Sequence, residues 1–81
     1  MGTVTYYVSM AFDHDEAGDL VALEPMESRT PAAAISRARS LASSKAGAIA
    51  FSRSGDPDLG DFADAVVLFR DGEVLEDALV G

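Results

Sequence analysis

From Thr3 to Phe12 the chain alternates, with Val4, Tyr6, Val8, Met10 and Phe12 on one side and Thr5, Tyr7, Ser9 and Ala11 on the other. A period of two, rich in aromatic and β-branched residues, predicts a strand packed on one face. Asp13-His14-Asp15-Glu16-Ala17-Gly18-Asp19 reads as a long polar hairpin connection. Leu20 to Leu23 is then a second strand, continuing towards Met26. Pro25 has no N–H to give a central ladder, so this strand belongs at an edge. At Thr30-Pro31 the period changes. Thr30 suits an N-cap, Pro31 suits the first helical position, and Ala34, Ile35, Ala38, Leu41 and Ala42 form a helical stripe. Lys45 complements the carboxyl-end dipole, and Gly47 suits a left-handed helix exit.

Ala48 to Arg53 predicts a third strand, with Ile49 and Phe51 on one face. Turn chemistry fills Ser54 to Asp61. Phe62 to Arg70 predicts a fourth strand, apolar on both faces, which suggests a central position or a face covered by a partner. Asp71-Gly72 signals a tight turn into a short fifth strand around Val74, and the tail from Glu76 to Gly81 is expected to fray. The order ββαββ(β) has no repeated βαβ unit. It predicts one α+β domain over residues 1–81, an antiparallel sheet of four or five strands packed on one helix.

Composition narrows the chemistry. Eighty-one residues allow one domain with a modest core. Small domains commonly supplement such a core with disulfides, metals or self-association. The chain has no cysteine and one histidine, so disulfides and thiolate sites are excluded and a His-based zinc site is disfavoured. Self-association rises by elimination. No apolar run is long enough to span a bilayer and no secretory pattern opens the chain, so no membrane partner is expected and a cytoplasmic location is the simplest reading. The net charge of −8 is segregated: residues 1–27 carry acids only, 28–55 carry bases only, and 56–81 are acidic apart from Arg70.

No catalytic motif stands out. The acidic loop with Asp13, His14, Asp15, Glu16 and Asp19 offers oxygen ligands, but its spacing matches no known ion loop. Asp56-Pro57-Asp58-Leu59-Gly60-Asp61 resembles a calcium loop until Gly60 and Asp61 stand in reversed order and Val67 occupies the place of the bidentate Glu. There is no G-x-S-x-G, no P-loop and no G-x-G-x-x-G. Arg37 and Arg39 stand about 160° apart on a helix, and acidic blocks flank them, so nucleic acid is not an expected partner.

Two surfaces suggest protein contact. Opposite the helix stripe, Ala33, Ser36, Ser40, Ser43 and Ser44 are small and uncharged, where a solvated helix usually carries Glu, Lys or Gln. On the sheet, Tyr7, Val66 and Leu68 would face away from the helix if Tyr6 and Val67 point inward, leaving a bare face for a partner. The candidate interaction residues are therefore Tyr7, Ser36, Arg37, Ser40, Ser43, Val66 and Leu68. No catalytic, cofactor or metal residue is assigned.

The strand, hairpin and strand followed by Thr30-Pro31-Ala32-Ala33-Ala34-Ile35 and Ala38 loosely resemble the start of HicB-type antitoxins, over residues 3–42. The family's Pro-Gly-Cys-like segment and its DNA-binding extension have no counterpart here. The run Gly47-Ala48-Ile49-Ala50-Phe51-Ser52-Arg53-Ser54-Gly55-Asp56-Pro57 is similar to small uncharacterised bacterial ββαββ proteins, which implies no activity. The expectation is a non-enzymatic, homodimeric protein-interaction module. Alternatives are an antitoxin-like regulator, as the resemblance implies, or a small ion-binding or enzymatic domain using the acidic hairpin loop.

Overall fold

The alternating run becomes the longest strand of the molecule. In a computed structural model, which describes residues 3–75, β1 spans Val4–His14, β2 Leu20–Ala22 and β3 Met26–Ser28. The helix α1, Pro31–Ala42, follows, and then β4, Gly47–Asp56, β5, Asp61–Phe62, and β6, Val66–Gly72. All pairings are antiparallel. β1 and β4 lie at the centre; β2 and β3 share the outer side of β1, while β5 and β6 share the outer side of β4. The α+β class and the antiparallel sheet on one helix agree with the sequence pattern, with more strands than it suggested.

The extra strands come from interruptions. The second predicted strand splits around Pro25, and the pairing with β1 shifts by one residue between Phe12↔Ala22 and Tyr7↔Ser28. It keeps the edge place that Pro25 requires. The fourth predicted strand splits between Phe62 and Val66, and β6 carries a further irregularity opposite Ala50 and Phe51. Both parts pair with β4 alone among the described residues, so this stretch is an edge and not a central strand.

α1 forms where its start and stop chemistry coincide. The Thr30 side chain accepts the Ala33 N–H at 3.1 Å, and Pro31 takes the first turn. Ala34 and Ala38 are fully buried against Ala48 and Ala50, with Ile35, Leu41, Ala42, Tyr7, Leu68 and Phe69 around them. The buried Ser9 hydroxyl donates to the Ala34 carbonyl at 2.8 Å, tying β1 to the helix backbone. The helix therefore lies close on a sheet surface made of Ser9, Ala11, Ala48 and Ala50.

This reverses the expected orientation. The larger alternating set faces away from the helix. Met10, Phe12, Ile49 and Phe51 form a second buried cluster there, with Val8, Leu20, Ala65 and Val74 packed against it. The helix stripe explains the choice, because its short central alanines reach a sheet only where the sheet is also small. The described residues form a slab, 44 × 24 × 15 Å.

Two turns and one short strand also differ from the expectation. Gly47 is not the left-handed helix exit: the helix ends at Ala42 with Ser43 as a right-handed cap, and Gly47 opens β4 pressed against the Glu73 backbone. Asp71-Gly72 is not a tight turn but the end of β6, paired with Ala48 and Gly47. Gly72 adopts φ +73°, and the Glu73 N–H then bonds the Ala46 carbonyl at 3.0 Å. Val74 packs against the second cluster without forming a strand. The expected fraying of Glu76 to Gly81 lies outside the described residues.

Candidate protein-contact face

The seven residues singled out from sequence do not make one surface. Ser36, Arg37, Ser40 and Ser43 are exposed on the outer side of α1. Ser43 has a local task there, donating its hydroxyl to the Ser40 carbonyl at 2.7 Å, and Ser44 leans on the Leu41 carbonyl in the same way. These hydroxyls add to the backbone bonds that close the last turn, from the Ser43 N–H to the Ser40 carbonyl and from the Ser44 and Lys45 N–H groups to the Leu41 carbonyl. Arg37 reaches over β3 to the Met26 sulfur at 3.5 Å, while Arg39 stands over the Phe69 ring at 5.5 Å. The two cations diverge around the helix, as their spacing requires.

Tyr7 and Leu68 pack against the helix side and are not on a bare face. Val66, 58% exposed, pairs with Ser52 and lies on that same side of the sheet. The physical reason is the small-face docking of α1, which inverts the condition that Tyr6 and Val67 point inward. Tyr6 and Val67 instead belong to the opposite side, where Val67 pairs with Phe51 and is 44% exposed.

The acidic segments are organised by their own backbone. His14 ends β1 opposite Leu20 and sits 3.4 Å from the Glu73 carboxylate, both exposed. The Asp15 carboxylate accepts the N–H groups of Ala17 and Asp19, and Gly18 supplies the positive φ of the turn. The Asp56 carboxylate accepts the Asp58 N–H while its carbonyl accepts from Leu59 and Gly60. These are side-chain-closed turns, which account for aspartate at both positions. Among the described residues no three His, Cys, Asp or Glu side chains gather as an ion site, and no helix is long and apolar enough to cross a membrane.

The open half of the sheet face away from α1 is the most distinctive feature. Towards Phe12 that face is covered by Leu20 and Val74, but towards Val4 it opens into a hollow of about 380 Å³ lined by Tyr6, Val8, Glu27, Phe51, Arg53 and Phe62. Register sets this lining. Val8 lies between Glu27 of β3 and Phe51 of β4, Tyr6 pairs with Arg53, and Phe62 pairs with Gly55. The Tyr6 and Phe62 rings meet at 5.9 Å between centroids, tilted by 37°. The Phe62 ring can lie against β4 because Gly55 has no side chain; a Cβ there would strike the ring. The Arg53 Nε–H donates to the Ala63 carbonyl at 3.3 Å, holding the guanidinium beside the hollow.

Sequence alternation identified this stripe but left its side of the sheet conditional on Tyr6 and Val67 pointing towards the helix, which they do not. Its available signal was the matching small residues of β1, β4 and α1. Comparison of the chain with protein-family models, curated proteins and solved structures gives no match.

Proposed function

We propose that the protein is a non-enzymatic interaction module that binds another protein through the open end of its sheet, around Tyr6, Val8, Phe51 and Phe62. The observation that carries this reading is a concave aromatic and aliphatic face, open on one side, with one acid and one base at its border. Interface centres are rich in aromatic residues and arginine, with polar groups at the rim. A small-molecule site usually encloses most of its ligand. This hollow lies open on a sheet, which favours a broad partner. The outer face of α1 is the weaker candidate, since Ser43 and Ser44 are engaged with the helix end.

A benzophenone-bearing amino acid at Val67, on the open face, and another at Ser36, on the helix, separate the two surfaces. Irradiation in cells is expected to give a discrete protein adduct from position 67 and none from position 36. Val8→Lys, which places a charge at the centre of the face, should abolish it. Adducts from position 36 alone, or position-67 adducts indifferent to Val8→Lys, would overturn the reading.

A further inference from the structure

We propose that the occupant of this face is a second copy of the chain, docked about a two-fold axis along β1 that brings Arg53 of each copy to the partner's Glu27. The proposal rests on the reading of the face as a protein-contact surface and names its partner. The face is complementary in charge to itself under two-fold symmetry. β3 and β4 flank β1, and each contributes one charged residue to the hollow, Glu27 from β3 and Arg53 from β4. A two-fold axis lying between two facing sheets and parallel to β1 exchanges the β3 and β4 sides. Each arginine is thereby carried over the opposite acid, and each acid over the opposite arginine. An isologous interface requires such self-complementarity.

Register leaves the two groups two residues apart along the strands, because Glu27 is level with Val8 and Arg53 with Tyr6. That offset is about 7 Å, and the long arginine side chain can span it. Tyr6 and Val8 lie on the axis and meet their own copies. Phe51, level with Val8 on β4, lies opposite the partner's Glu27 and covers its aliphatic stem.

Size sets the strength. The open stretch from Val4 to Val8 is three strands wide at Val4 (β1, β4, β5) and four at Val8 (β3, β1, β4, β6), about 17 Å long and about 14–19 Å across, a flat footprint below about 300 Å² per copy. Stable complexes bury about 800 Å² per partner, so this contact belongs with weak, concentration-dependent dimers.

Sedimentation of the intact chain from low micromolar to millimolar concentration tests the proposal, with Glu27→Arg, Arg53→Glu and the double exchange. The wild type should pass from monomer to dimer within that range. Each single reversal should weaken the dimer by about tenfold or more, and the double exchange should recover most of the loss. Glu27→Arg makes this acidic protein less negative, so general charge repulsion alone predicts tighter association. The expected weakening has the opposite sign. Because Arg53 also bonds the Ala63 carbonyl, melting curves accompany its variant, while Glu27, exposed on an edge strand, provides the cleaner reversal. A wild type that stays monomeric to millimolar concentration overturns the second copy. If Val67 adducts with a different protein persist in that case, the contact-face reading stands without it. A dimer indifferent to both reversals overturns the proposed geometry.

Discussion

Ala50→Leu probes the feature on which the architecture depends, the close docking of an alanine-faced helix on the small side of the sheet. Ala50 is fully buried, pairs with Ser9 and Phe69, and lies beneath Ala34 and Ala38. A leucine adds three carbons where no side chain can withdraw to solvent. Overpacking of this kind costs about 1–3 kcal/mol. The helix must also rise, which lengthens the 2.8 Å bond from the Ser9 hydroxyl to the Ala34 carbonyl. Losing that bond adds about 0.5–1.5 kcal/mol. The expected loss is roughly 2–4 kcal/mol, or a fall in Tm of about 8–30 °C for a domain of this size. Such a domain has only about 4–12 kcal/mol of stability in total. Urea and thermal unfolding followed by circular dichroism measure the effect, with Ser36→Leu on the exposed helix face as control. A change below about 0.5 kcal/mol, the range of ordinary surface substitutions, would refute the close docking.

Two further perturbations address other joints of the fold. Thr30→Ala removes the acceptor for the Ala33 N–H and should cost about 0.5–2 kcal/mol in the same unfolding assay, with Thr30→Ser retaining most of it. Gly47→Ala drives a Cβ into the Glu73 backbone, which no side-chain rotation relieves. It should break the Glu73-to-Ala46 bond, seen as rapid hydrogen exchange at the Glu73 amide, and shift Val74 away from the core cluster.

Much of this fold was legible along the chain, but not its handed choice of face. Thr30, Pro31 and the stripe from Ala34 to Ala42 specify α1 through strictly local chemistry. β1 is equally plain, because its period of two persists through Phe12. Alternation, however, only defines two faces; it does not say which one a helix will cover. The large stripe, Val4 to Phe12, looked like the core side because it is the more hydrophobic. The structure places it opposite the helix, since Ala34 and Ala38 fit only a surface as small as Ser9, Ala48 and Ala50. That error moved the candidate surface. Tyr7 and Leu68 became helix contacts, and Tyr6, Val8, Glu27, Phe51, Arg53 and Phe62 came together instead. Glu27 and Arg53 are 26 positions apart in the chain. Their juxtaposition depends on β3–β1–β4 register, which no local pattern encodes.

The glycines, too, take their roles from contacts made across the sheet. Gly47 looked like a helix stop because it follows Lys45, but its role comes from the approach of Glu73, a contact made across the sheet. Gly72 does need its positive φ, yet at the end of a strand and not inside a hairpin.

Where the molecule meets its partner is the central question. Amide and side-chain NMR shifts recorded while the protein is diluted from millimolar to low micromolar concentration report that location directly. The changes should centre on Tyr6, Val8, Glu27, Phe51, Arg53 and Phe62, with Ser36, Ser40 and Ser43 unmoved. Shifts confined to the helix serines, or a spectrum indifferent to dilution, would contradict association of two copies through the open sheet face.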